Sequence, residues 1–429
     1  MLKTAKKIWS NEFFKGGIFY TASSFVIHIM NYLFNFLAGR SLGPKGYAEI
    51  SALFSYLIIA LVPTVVFSTL LVQKISATSQ NRVAYTYTLE TLFWEKIRRW
   101  WFIAILPILF TPLLPILTNL TPLAAWSLFP LIILALLSTF YGSALQGLKL
   151  FLAFSLIGVF ATFLKLLGAL LVTAGIDGLA TVLFFLILSS FFLFYLSKTV
   201  VTNNLRKKIE SAPKKIERRI LHIFKSRQFV IIFISTLSLT LLNNIDIVLV
   251  KKFFLAEDAG IYSSWSLFAK IILYLLGPLI SLSFVFIAGT KSESSQNKTL
   301  IYSLVVLLFV GLVSFVFYKN FAIFIITFFF GSKFQAVAPF LARASIFGSF
   351  YAALTFLNSF YLAKNSPLAL ILPVLLPIYI VLFYLIPKKL SAITTLNIFF
   401  SAAVFLVYLA AYLITTFKKV TPHPQGVRG

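Results

Sequence analysis

The chain has 429 residues, is 60% hydrophobic and only 11% charged, and carries a formal net charge of +26. A soluble domain has an apolar share of about one half and roughly a quarter charged residues, so this composition excludes an ordinary soluble protein. With no cysteine in the sequence, disulfides, thiolate metal sites and cysteine nucleophiles are excluded as well.

Apolar runs of about 20 residues recur from end to end, each long enough to cross a hydrocarbon core of roughly 30 Å. The sequence is that of an all-α polytopic membrane protein. Its basic start, "MLKTAKKIWSNEFFKGG", leads into a full-length apolar run with no small-residue cleavage site, which reads as an uncleaved first span. About twelve spans follow in chain order. The first six cover 16–38, 47–71, 100–117, 123–145, 152–174 and 179–197; the second six cover 229–250, 261–287, 300–318, 336–362, 368–386 and 394–417. Between the sets lies the polar stretch "RKKIESAPKKIERR", read as a solvated cytoplasmic linker. The expected organisation is an amino-terminal lobe 1–197, a basic linker 198–228, a carboxy-terminal lobe 229–417 and a tail 418–429. The apolar segment "NFAIFIITFFFG" at 320–331 is too short to cross and is expected to form an interfacial or re-entrant helix.

Lys and Arg fix the orientation. With the amino terminus inside, 26 of the 37 fall in cytoplasmic segments. The outer segments hold only Arg40, Lys45, Lys251, Lys252, Lys319, Lys333, Lys388 and Lys389. This bias predicts a multi-pass cell-membrane protein with both termini in the cytoplasm, and it explains the net charge without nucleic acid. Trp94, Trp100 and Trp101 around "EKIRR" fit an anchor at the inner interface.

The two halves open alike. Asn31 precedes Gly46 by 15 residues and Pro63 follows by 17; Asn244 precedes Gly260 by 16 and Pro278 follows by 18. Six spans per half preserve direction, so the halves form a parallel repeat with a pseudo-two-fold axis along the membrane normal. Such repeats typify transporters with a substrate site at the interface of the repeats.

Three stretches resemble the polysaccharide-biosynthesis oligosaccharide flippases (O-antigen-type) of the multidrug/oligosaccharidyl-lipid/polysaccharide exporter superfamily. These are "LAGRSLGPKGYAEISALFSYL", "ALQGLKLFLAFSLIGVFATFLKLLGALLVTAGIDGLA" and "NNIDIVLVKKFFLAEDAGIYSSWSLFAKI". They look like the family's first outer loop into helix two, its fourth-to-sixth helices and its seventh-to-eighth helices. The resemblance implies two six-helix lobes around a central cavity that opens alternately to each side.

An ionisable residue within a span costs about 2.5–3.5 kcal/mol on insertion scales and therefore normally faces protein or water. Lys165 lies about 20 Å into its span, Lys270 about 14 Å and Arg343 about 11 Å, with no comparably deep acidic residue. The functional reading is a cationic cavity for an anionic substrate, such as the pyrophosphate of a lipid-linked sugar. The structural reading is snorkelling or a hydrogen bond to a neighbouring helix. In "LLNNIDIVLVKKF", Asp246 lies in the outer third of span seven, with Asn243 and Asn244 one turn below. With Asn31 and Arg40 they are expected to form a polar rim or gate of the cavity. Pro63, Gly277 and Pro278 are candidate hinges; Pro373 and Pro377 also interrupt helices. His28 is either a core histidine or a proton site, and a single histidine makes no metal site. Glu49 is expected at the interface.

The leading function is therefore a monomeric transporter, not an enzyme. It would flip a polyprenyl-pyrophosphate-linked oligosaccharide from inner to outer leaflet by alternating access for cell-surface polysaccharide assembly. The driving force would be a Na+ or H+ gradient or the membrane potential. No cofactor is implied, since no phosphate-cradling Gly-rich loop is present. The alternatives are a multidrug or cation antiporter, which usually needs deep carboxylates, and a membrane glycosyltransferase or polymerase, which would be expected to offer a long outer loop or paired carboxylates near an outer helix end. The acidic pair Glu257–Asp258 reads instead as a solvated turn.

Overall fold

The computed structural model describes residues 12–78, 82–99, 111–176, 178–206, 227–290 and 292–420. Among the described residues there is no strand. The helices are α1 (Glu12–Ala60), α2 (Val62–Ala77), α3 (Arg82–Arg99), α4 (Leu114–Thr118), α5 (Pro122–Gly147), α6 (Phe151–Thr173), α7 (Gly178–Arg206) and α8 (Arg227–Phe253). They continue with α9 (Ala256–Gly289), α10 (Glu293–Phe329), α11 (Leu341–Ala363), α12 (Ile371–Leu385) and α13 (Leu390–Val420).

Among the described residues nine helices, or ten counting a bent pair, are long and apolar enough to cross a membrane. The nine match the expected spans four to twelve. Expected spans one and two lie in α1 and α2. The third falls mostly on 100–110, outside the described residues, as do most of the linker, the tail from 421 and Trp100 and Trp101. Helix α7 continues to Arg206, well into the stretch read as linker.

Glycine and proline place the breaks. Helix α1 is divided at Gly43, whose φ of 67° and ψ of −177° are not helical; a positive φ is accessible to glycine at no steric cost. Pro63 sits in the first turn of α2, and the axes of the flanking helices meet there at 51°. Pro278, by contrast, lies inside α9 without ending it. The segment 320–331 supplies a second helical arm of α10, set off from the first by non-helical dihedrals at Phe321. The arm ends before Gly331, whose φ is 87°.

The chain forms two compact units. Unit 1 comprises Met1–Phe224, Asn244–Gly260 and Phe329–Lys333; unit 2 comprises Lys225–Asn243, Ile261–Phe328 and Phe334–Gly429. Within unit 1, α1 packs on α6, α6 on α7, α5 on α7 and α2 on α5. Leu71, Ile75, Phe140, Tyr141, Ala144 and Val201 anchor its core. Small residues let these helices approach: a Cβ on Gly168 would lie 2.6 Å from Cβ of Phe185, and one on Gly147 at 2.6 Å from Cβ of Ile75. Helix α3 is attached by polar contacts. Trp94 Nε1 donates to Tyr141 Oη (2.7 Å), which donates to Glu90 Oε1 (2.8 Å).

In unit 2, buried amides tie helices together, as Asn does between membrane helices. Asn358 accepts from Ser235 Oγ at 2.8 Å and donates to Tyr408 Oη at 2.8 Å and to the Ala369 carbonyl at 3.1 Å. Asn397 accepts from Tyr379 Oη at 2.7 Å and donates to Tyr262 Oη at 2.6 Å. Trp265 stacks on Phe347 with centroids 5.5 Å apart and donates to the Phe340 carbonyl.

Candidate functional site

The site is built on α6. Gly158 and Lys165 are seven residues apart and so share one helix face. That face meets the first arm of α1. A Cβ on Gly158 would lie 3.0 Å from Cδ1 of Ile27, and one turn further along α1 Lys165 Nζ donates to Asn31 Oδ1 at 2.8 Å. The ammonium also sits over two rings, 4.4 Å from the centroid of Phe34 and 4.5 Å from that of Phe54. These two rings pack edge to face at 5.9 Å. Asn35 extends the arrangement: its Nδ2 donates to the Asn31 carbonyl at 2.8 Å and its Oδ1 accepts from Tyr47 Oη at 3.3 Å.

Lys165 is therefore held by an amide oxygen and two aromatic faces, with no carboxylate among the described residues. Its partners are neutral. They satisfy the ammonium's donors and orient it but leave its charge uncompensated, and a desolvated cation in that state attracts an anion. The side chain is partly buried, and its bond to Asn31 is the hydrogen bond to a neighbouring helix that the sequence offers as the structural reading. The ring faces were not legible, although Asn31 and Phe34, three apart, already share a helical face.

Glu49 is buried within unit 1. It is 6% exposed, and its Oε1 pairs with Lys251 Nζ at 2.6 Å. Its Oε2 accepts from Thr121 N at 2.9 Å and Oγ1 at 3.2 Å. Thr121 is the N-cap of α5, so the carboxylate also faces the positive end of that helix dipole. Asn119, held at φ 55°, donates Nδ2 to the Lys251 carbonyl at 2.9 Å. One clasp thus joins the second arm of α1, the α4–α5 turn and the end of α8. Lys251 reads from sequence as one more loop charge; its pairing required the fold.

The other expected site residues are distributed between the two units. Asn244 and Asp246, 3% and 1% exposed, are buried on the segment of α8 that belongs to unit 1. Arg40 is exposed in unit 1. Asn243 belongs to unit 2. Lys270 in α9 is buried at 9% exposure. Arg343 lies in the first turn of α11, because the preceding residues Ser332–Phe340 form a 3-10 helix rather than α-helix. Its guanidinium lies 5.2 Å from the Phe340 ring centroid, and NH1 is 3.5 Å from Thr395 Oγ1. A Cβ on Gly277 would meet nothing within 4 Å. His28 is exposed, and no group of three or more metal-binding side chains occurs among the described residues.

Helices of this order and length make a polytopic membrane protein whose fold is similar to that of solved MOP-superfamily transporters. Solved structures of that fold cover nearly the whole chain. One is a "Lipid II flippase MurJ, inward closed conformation", at 16% identity and TM-score 0.70, covering 92% of this chain and 87% of that one. Another is an outward-facing multidrug-resistance MATE-family transporter of the MOP superfamily, at 12% identity and TM-score 0.60, covering 95% and 97%. A third is a MOP-superfamily transporter from Pyrococcus furiosus whose binding pocket is described as having reverse polarity, at 12% identity and TM-score 0.56, covering 95% and 97%. No protein-family model matches the sequence, and no curated protein matches it.

Proposed function

We propose that this protein flips a polyprenyl-pyrophosphate-linked oligosaccharide between leaflets by alternating access, serving cell-surface polysaccharide assembly as in the O-antigen-type flippases. The observation that carries this reading is Lys165, held inside unit 1 by Asn31, Phe34 and Phe54 without a carboxylate. Such a cation neutralises an anionic headgroup, whose burial unpaired would be prohibitive. The likeness to a lipid II flippase supports a lipid-linked substrate. Lys270 and Arg343 carry the same expectation in unit 2 and are tested one at a time. In this reading Asn31, Asn243, Asn244, Asp246 and Arg40 supply polar or gating contacts, and Pro63, Gly277 and Pro278 are hinges. Both termini are cytoplasmic, and the protein works as a monomer driven by Na+, H+ or the membrane potential.

The multidrug-resistance neighbour motivates a second reading, cation antiport. Against it, Glu49 is occupied by Lys251 and Thr121. The test is leaflet access in liposomes carrying a labelled polyprenyl-pyrophosphate oligosaccharide. The proposal expects sugar exposure at the opposite leaflet that is fast with the native protein and slowed by Lys165→Ala. No acceleration across several carriers and imposed gradients would refute it and leave antiport as the better reading.

A further inference from the structure

Unit 2 carries two cavities along the same three helices. The first, of about 500 Å³, is lined by Leu304, Leu308, Leu312 and Phe315 of α10, Ala353 of α11 and Phe405 of α13, among others. Its floor is made by small residues. Ser345 Oγ donates to the Gly311 carbonyl at 3.0 Å, and a Cβ on Gly311 would overlap Ser349, so α10 and α11 touch closely at that level. Ser345, Ser349 and Ala353 recur every four residues, which keeps that face of α11 shallow. Phe350 and Phe405, 6.0 Å apart, lie at its α11–α13 side.

The second cavity, of about 640 Å³, lies one to two turns further along each of these helices. It is lined by Ser294, Asn297 and Lys298 in the first turns of α10, Lys364 just after α11 and Tyr412 in the last third of α13, with Glu293 also present. Lys298 and Lys364 are both exposed. The two lysines against one carboxylate leave this end positive, while the cavity below it is hydrocarbon.

We propose that the groove along α10, α11 and α13 binds one anionic glycerophospholipid of the bilayer, with its phosphate at Lys298 and Lys364 and an acyl chain on Leu304–Phe315. The dimensions fit. From Leu304 to Phe315 α10 rises about 16 Å, half of a hydrocarbon core of roughly 30 Å and therefore the depth of one leaflet. The chemistry fits in the same order, with a cationic polar pocket at the interface and an apolar groove beneath it. On the orientation expected from the Lys and Arg distribution this is the cytoplasmic leaflet, where anionic lipids attract basic groups.

Delipidated full-length protein in detergent is titrated with phosphatidylglycerol or phosphatidylcholine of identical acyl chains, and bound lipid is counted by native mass spectrometry. Phosphatidylglycerol is expected to bind more tightly. Each of Lys298→Gln and Lys364→Gln should weaken it by about fivefold, the equivalent of about 1 kcal/mol per charge near the surface, while leaving phosphatidylcholine unchanged. Ala353→Phe, which fills the groove, should reduce both lipids. The lysine variants lie at exposed positions and keep the test valid if Ala353→Phe fails to fold. Equal binding of the two lipids, or indifference to both lysine variants, would overturn the proposal. So would displacement of phosphatidylglycerol by an equal concentration of polyprenyl phosphate, which would make the groove a carrier site. A dimer broken by Ala353→Phe would make it a subunit interface.

Discussion

Two lysines of unit 1 are held within the protein in opposite ways. Lys251, 4% exposed, is locked to Glu49 at 2.6 Å, and that carboxylate is further held by Thr121. Lys165 is held by the Asn31 amide and the faces of Phe34 and Phe54. Both ammonium groups are oriented, but only the first has its charge cancelled. A cancelled charge serves the fold, because neither partner can leave without stranding the other. An oriented but uncancelled charge remains available to an anion that enters from outside. Position in the sequence gives the reverse impression, since Lys251 looks like a loop charge and Lys165 like an expensive intrusion into a span.

The comparison breaks most severely at the clasp. Lys251→Met should destabilise the protein by about 3–5 kcal/mol, the cost of stranding one member of a buried pair. Thermal unfolding in detergent would show it, and Glu49→Gln in the same chain should recover much of the loss. If the single variant were as stable as the native protein, the clasp would be ornamental and the contrast with Lys165 would fail.

Next in size is Lys165→Gln. It should slow flipping by tenfold or more, the order expected from losing a charge-assisted contact of about 1.5–3 kcal/mol, while the unfolding temperature barely moves. A parallel loss of stability and transport would make Lys165 a structural residue like Lys251. Asn31→Leu removes the amide oxygen but leaves the charge. It should slow flipping less than Lys165→Gln, by the few-fold that imperfect positioning costs. Phe54→Leu is the mildest case. One ring face contributes about 0.5–2 kcal/mol to a cation, and Phe34 remains, so a two- to threefold slowing is expected in the same liposome assay.

Elements with long apolar runs were legible without a structure: nine of the helices long enough to cross the membrane lie where hydropathy alone puts them. Breaks were legible only in part. Pro63 and Pro278 look equivalent in the repeat, but only Pro63 stands at a 51° bend; a proline within a membrane helix is tolerated wherever its neighbours satisfy the freed carbonyl. The Phe-rich end of α10 shows the same ambiguity. Phe324 and Phe328 are 64% and 60% exposed, whereas Phe330 is 1% exposed, stacks edge to face with Phe36 and Tyr47, and fills the space left by Gly39. Nothing local distinguishes these rings.

What the sequence determined by itself is the solvent and the order of the helices, because a bilayer imposes one simple rule, about 20 apolar residues per crossing, that composition can answer. It also marked Lys165 as a cation within a span of a chain that has only 11 acidic residues to offer. Tertiary structure decided the partners. The approach of Gly260 to the backbone of Pro44 joins two turns more than 200 residues apart, as the Glu49–Lys251 pair does. Contacts at that separation depend on which faces the helices turn towards one another, and periodicity in a uniformly apolar helix carries almost no record of that choice.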